Sequence, residues 1–225
     1  MITCNIATYS SRAGVLPHAI EALKNQSVPF DEIRVFSNDY LPELEGVTVH
    51  HNGIDYTDRG KFVWLDNIRY SSRNEIYFSC DDDLFYPEDY VETTLKALKR
   101  HPGHIVTYHG RKLRGKGRNY YFGHENIPFM ATLENDTIID VPGTGVSAFS
   151  TETFIPDIIQ HPEQCMADVL LALEAVKNNI PIMCIAHKHG WIHSLSVEQS
   201  IYQEHRHRCE RQNQICDEIL DFRNK

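Results

Sequence analysis

A strand, a helix and a second strand follow one another at the start of the chain, and this spacing restricts the fold more than any other feature. Ile2-Thr3-Cys4-Asn5-Ile6-Ala7-Thr8-Tyr9 reads as a strand. Ser10 to Gly14 reads as a loop, and Val15, Ala19, Ile20, Ala22 and Leu23 recur at helical spacing before Asn25-Gln26-Ser27 ends the helix. Asp31 to Asp39 is then a second strand, and Val47 to His51 a short third. A βαβ unit defaults to a parallel sheet, in which ligands sit beyond the carboxyl ends of the strands. That rule places Thr8, Tyr9 and Arg12 near Asn38 and Asp39, either as a nucleotide site or as solvated loop ends.

A later strand, Tyr77-Phe78-Ser79-Cys80, runs directly into Asp81-Asp82-Asp83. Three adjacent acids at the end of an apolar strand repel one another unless a cation or a set of donors neutralises them. Side chains at i and i+2 of an extended segment point the same way, so Asp81 and Asp83 suit one hard divalent ion, Mg²⁺ or Mn²⁺, and Asp82 faces elsewhere. The same acids also suit the first turn of a helix, because Pro87 fits a first helical position and Glu88 and Asp89 complement its dipole. Both readings stand at this point.

Asp58-Arg59-Gly60-Lys61 brings a lysine beside a glycine just before the acidic strand, without the glycines of a phosphate-binding loop. Val91, Leu95 and Leu98 mark one face of a helix from Pro87 to Lys99, and His104 to Tyr108 forms a strand. Arg111-Lys112-Leu113-Arg114-Gly115-Lys116-Gly117-Arg118 has no acids and is expected as a mobile loop, either solvated or a lid over anions. In Pro142-Gly143-Thr144-Gly145-Val146 the paired glycines are expected within a strand approached closely by a ligand or backbone. Asp168 opens an apolar helix reaching Lys177, where helix capping alone would account for it. Pro181 to Ala186 is a last strand, followed by His187, His189, Trp191 and His193, and from Glu198 the chain reads as a polar helix carrying His205 and His207.

The 225 residues suffice for one sizeable α/β domain, and a formal charge of -9 argues against nucleic-acid binding over the whole surface. The six cysteines form no CxxC pair and suit reduced core thiols. No stretch has the length and apolarity of a membrane span, nor does the N-terminus look like a signal peptide, so the expected setting is cytoplasmic.

In order, these landmarks resemble the nucleotide-sugar glycosyltransferases of the GT-A fold, of the family-2-like kind. Asp81-Asp82-Asp83 is similar to the DxD motif and Gly143-Thr144-Gly145 to the glycine-rich acceptor loop. Met166-Ala167-Asp168 is similar to the xED motif, with Ala in place of Glu, and His187 to the C-terminal metal histidine. The resemblance implies a Rossmann-like, mostly parallel sheet flanked by helices over residues 1–195, with a helical extension over 196–225. It implies a donor, most simply a UDP-sugar, held by Thr8, Tyr9, Arg12, Asp39, Lys61, Asp81 and Asp82. It implies Mn²⁺ or Mg²⁺ on Asp81, Asp83 and His187, with His189 and His193 as rivals for the last position. On the acceptor side it implies Gly143, Thr144, Gly145 and Trp191, with Asp168 as the general base of an inverting transfer to a glycan, a glycoconjugate or a hydroxylated DNA base. A nucleotidyltransferase and a non-catalytic nucleotide-sugar-binding module remain as alternatives, and the oligomeric state is open.

Overall fold

The computed structural model describes residues 1–71, 73–195 and 209–223. Its centre is an eight-stranded sheet in the order β3-β2-β1-β4-β11-β6-β12-β9. The strands are β1 (Ile2–Thr8), β2 (Glu32–Ser37), β3 (Thr48–His50), β4 (Ile76–Cys80), β6 (Ile105–Thr107), β9 (Thr137–Ile139), β11 (Val146–Ser150) and β12 (Ile182–Cys184). β1 pairs in parallel with β2 and with β4, as the βαβ spacing requires, and β6 with β12. β11 enters antiparallel between β4 and β6, and β9 closes the far edge antiparallel to β12.

Both faces of this sheet are covered, which is why its strands read as nearly unbroken apolar runs. Side-chain alternation divides them between two cores. Phe78, Val106 and Met183 face a core built with α1 (Leu16–Lys24) and α3 (Tyr90–Arg100). Tyr77, Ile105, Ile182 and Cys184 face another built with α2 (Trp64–Arg69), α4 (Ala167–Lys177) and α5 (Glu210–Arg223). α4 is apolar nearly all round because it lies between the sheet core and α5; Ala167, Val169, Leu170, Leu171, Ala172, Leu173 and Ala175 are all buried.

Four expectations change. The acids are not the first turn of a helix: β5 (Leu84–Phe85) follows them, and α3 begins only at Tyr90. The glycines lie in the turn between β10 (Val141–Pro142) and β11, not within a strand, because β10 leaves the large sheet to pair with β7 (Gly110–Lys112). The basic stretch is no free loop. Arg111 and Lys112 belong to β7, itself paired with β8 (Glu125–Ile127), and the segment beyond is tied to α5 by Lys116 on Asp221 and by the Gly117 N–H on Asp217 (2.9 Å). α5 is not simply polar, since Gln212, Ile215, Cys216, Ile219 and Leu220 form a buried stripe at i, i+3, i+4 spacing. His205 and His207 lie outside the described residues.

Candidate active site

Strand register assembles the site. Ile6 lies opposite Cys80 in the β1–β4 ladder, which brings Thr8 level with Asp82, and the Thr8 hydroxyl donates to the Asp82 carboxylate at 2.6 Å. Val146 lies opposite Cys80 on the other side of β4, which brings Gly145 level with Asp81. The end of β2 supplies Asp39, which accepts from the Ser10 backbone N–H (2.7 Å) and hydroxyl (2.6 Å) and so fixes the turn after β1. Tyr9 donates to Asp55 at 2.6 Å, and Arg12 reaches Asp83 at 3.2 Å. Thr8, Tyr9, Arg12, Asp39, Asp81 and Asp82 therefore gather at the carboxyl edge of β1, β2 and β4.

The electrostatics of the acidic turn are unbalanced. Burial pushes Asp82 up to about 7, against the pull of the Thr8 hydroxyl, and burial together with Asp81 pushes Asp83 up to about 6 despite Arg12 and Lys61. Burial disfavours the charged Lys61 ammonium, but Asp81 and Asp58 overcome it and hold Lys61 above its ordinary value. Lys61 pairs directly with Asp81 and lies 3.4 Å from the Thr144 hydroxyl.

Thr144 carries the connection onward. Its backbone N–H (2.8 Å) and hydroxyl (2.7 Å) both donate to Asp168 Oδ1. Asp168 thus sits in the first turn of α4 but binds the glycine turn rather than its own helix end. Asp58 supplies the helix end instead, accepting the Ala167 N–H at 2.9 Å, and burial raises its carboxyl. The flanking glycines have a steric reason: a Cβ on Gly145 would stand 1.9 Å from Asp81 Oδ2, and one on Gly143 would stand 2.5 Å from the His109 ring. Thr57 and Cys165, joined by a 3.0 Å bond from the Cys165 N–H to the Thr57 hydroxyl, both carry φ of 56°, so backbone strain concentrates beside the site.

These groups line a cavity of about 260 Å³ that contains Lys61, Asp81, Gly143, Thr144, Gly145 and Asp168. Further along its wall stand His109, Tyr120, Tyr121, Phe129 and, from α5, Gln212, none of them foreseen, together with Arg111 from the basic stretch. Tyr86, also unforeseen, fixes two loops at once, since its hydroxyl accepts the Asp81 N–H and donates to the Gly145 carbonyl, both at 2.7 Å.

Other candidates stand apart from the cavity. His187 is buried, its Nδ1 2.7 Å from the Ile185 carbonyl and its ring edge-on to Tyr108. Trp191 donates its indole N–H to Asp89 (2.9 Å) and packs on Tyr108. The His189 backbone N–H donates to Thr132, whereas β13 (His193–Ser194) pairs with β5, directly after the acids, and His193 stacks on Phe85. Among the described residues no group of three or more His, Cys, Asp or Glu side chains is arranged to hold a metal ion. Asp81 and Asp83 nevertheless offer the oxygen donors that a hard cation takes, although each is paired here with a basic side chain, Lys61 and Arg12.

No protein-family profile matches the chain, and no curated protein matches it in sequence. The likeness appears in solved structures. Residues 1–349 of S. aureus TarS in complex with UDP-GlcNAc superpose with a TM-score of 0.53 at 10% identity, over 90% of this chain and 60% of that one. Another S. aureus TarS structure gives 0.51 at 12% identity, over 99% of this chain and 43% of that one. The present chain therefore spans less than two thirds of either. No helix among the described residues is long and apolar enough to cross a membrane. At these identities the likeness concerns architecture alone: a large, mostly parallel sheet flanked by helices.

Proposed function

We propose that this protein is a glycosyltransferase that moves a sugar from a nucleoside-diphosphate sugar, most simply a UDP-sugar, to an acceptor hydroxyl with inversion. The observation that carries the reading is the unbroken string of contacts from Asp81 through Lys61 and Thr144 to Asp168 along one cavity wall. It joins a basic and acidic turn suited to a diphosphate to a carboxylate suited to proton transfer. The UDP-GlcNAc bound to TarS supports the same donor class here.

In this reading Thr8, Tyr9 and Asp39 hold the nucleoside, and Arg12 and Lys61 present positive charge to the phosphates. Asp81 and Asp83 would hold Mn²⁺ or Mg²⁺. Such an ion, when bound, opposes the charge that develops on the leaving diphosphate. The glycine turn 143–145 sets the acceptor against Asp168, whose Oδ1 is fixed by Thr144 while Oδ2 lies 3.5 Å from the Tyr120 hydroxyl. Asp168 takes the acceptor O–H proton as that oxygen bonds to the anomeric carbon, and the bond from that carbon to the phosphate oxygen breaks, releasing nucleoside diphosphate. The acceptor is a glycan, a glycoconjugate or a hydroxylated DNA base, and a cytoplasmic site suits the donor.

A screen of nucleotide sugars for hydrolysis and transfer, with Mn²⁺, with Mg²⁺ and with a chelator, tests donor and metal together. Turnover of at least one UDP-sugar that chelation abolishes is expected. Normal, equally metal-dependent turnover in both Asp81→Ala and Asp83→Ala would refute the assignment of the acidic turn. Release of sugar 1-phosphate instead of nucleoside diphosphate would indicate nucleotidyl transfer, and donor binding without turnover a binding module.

A further inference from the structure

Half of the cavity is unexplained by the acidic turn and Asp168, and it contains three buried polar atoms that lack partners among the described residues. Arg111 is 7% exposed. Its guanidinium lies 4.3 Å from the centre of the Tyr120 ring and donates through Nη1 to the Tyr120 hydroxyl (3.0 Å), yet its Nε has no acceptor and it forms no ion pair among the described residues. Gln212, 3% exposed, donates through Nε2 to the Tyr121 hydroxyl (3.2 Å) and leaves Oε1 without a donor. His109 Nδ1 is the third such atom.

Nearly all buried side-chain polar atoms in folded proteins are paired, and a buried cation without a counter-charge is costly. Here an unpaired cation, an unpaired carbonyl oxygen and an imidazole nitrogen line one cavity, and Tyr120 links their wall to Asp168. The missing partner of Arg111 is an anion, and that of Gln212 Oε1 is a hydroxyl or amine donor. At about 260 Å³ the cavity lies below the roughly 300–1,000 Å³ of drug-sized pockets, so the bound group is small.

We propose that Arg111, Gln212 and His109 form an acceptor subsite for a small hydroxylated molecule, or terminal unit, bearing a carboxylate or a phosphate. Arg111 holds the anionic group, Gln212 accepts a hydroxyl hydrogen bond, and the aromatic wall excludes water. The word acceptor rests on the glycosyl-transfer reading; the preference for an anion does not.

Calorimetry on the whole protein, loaded with saturating UDP so that donor-side cations are occupied, tests it with three probes: glucose 6-phosphate, glucuronic acid and methyl glucoside. At least one anionic probe is expected to bind about tenfold or more tightly than methyl glucoside, and the stronger of the two identifies phosphate or carboxylate. Gln212→Glu, which places a competing carboxylate in the cavity, and Arg111→Lys, which keeps charge but loses the planar fork, should each remove most of that preference while UDP affinity stays within about twofold. The proposal is overturned if methyl glucoside binds as tightly as both anions, if none of the three binds, or if the preference survives both variants. The comparison among probes needs no variant, so a variant that fails to fold leaves the wild-type result decisive. Should UDP itself not bind, the donor assignment falls, and the same three probes on the unloaded protein still decide the subsite.

Discussion

Replacing Gly145 by alanine tests the central packing of the site in a way that separates steric from chemical effects. A Cβ at this position meets Asp81 Oδ2 at 1.9 Å and Cγ at 2.4 Å, so the carboxylate must retreat by about 1.5 Å to reach an ordinary 3.4 Å contact. Gly145 does not occupy the left-handed region, so alanine suits the backbone and the clash is the main penalty. Such overpacking costs about 1–3 kcal/mol. The moving carboxylate is also the partner of Lys61, a side chain only 5% exposed, so the substitution should disturb that ion pair as well. The double-mutant cycle with Asp81→Ala isolates the cause, because truncating Asp81 removes the atoms that clash. Urea denaturation should show Gly145→Ala destabilising the wild type by about 1–3 kcal/mol, but the Asp81→Ala background by under about 0.5 kcal/mol. Strict additivity of the two substitutions would refute the placement of Asp81 against the glycine turn.

Asp168→Asn retains an oxygen for the Thr144 donors but cannot take a proton, so turnover should fall by about 10²–10⁴-fold with donor binding nearly unchanged. Near-normal turnover with a retained anomeric configuration would overturn both the base and the inversion. His109 is held down to about 4, chiefly by burial and then by Arg111. Below pH 6.5 the unfolded chain takes up a proton that the native state refuses, so this group's stabilisation is complete above about 6.5 and is lost as pH falls toward 4. Between pH 7.5 and 4.5 the wild type should lose up to about 3 kcal/mol more stability than His109→Gln, and equal losses in both would refute the burial of a neutral imidazole. Ile215→Ala in α5, a fully buried position, should cost about 2–5 kcal/mol in one cooperative transition; a separate early transition would mean that α5 melts independently of the sheet.

What the sequence reveals here depends on how local the signal is. β1, α1 and β2 announce themselves through apolar periodicity, and the rule for parallel sheets then predicts that Thr8 meets Asn38. The acids after β4 are equally legible, although whether they begin a helix was settled only by β5, two residues long and paired with residues 193–194. The subsite wall is different. His109 and Arg111 reach the cavity because β7 folds onto β10, about thirty residues further along the chain, and neither strand has a pattern strong enough to identify its partner. Gln212 does carry a local signal. Its spacing from Ile215, Cys216, Ile219 and Leu220 is that of one helix face, obscured by the histidines and arginines around it.

The place of Lys61 explains why these parts form one site rather than two adjacent ones. Its ammonium is buried, and it feels the negative charge of Asp81, Asp58 and Asp168 together. Asp81 belongs to the turn after β4, Asp58 holds the start of α4, and Asp168 binds the glycine turn, so one cation compensates carboxylates from three elements. A diphosphate arriving beside Asp81 would draw on that same charge, and less of it would then offset the field at Asp168. Charge arriving at Asp81 is thereby coupled to Asp168 through one ammonium. The coupling needs no moving part, only a buried ammonium shared among acids that come together from distant stretches of the chain.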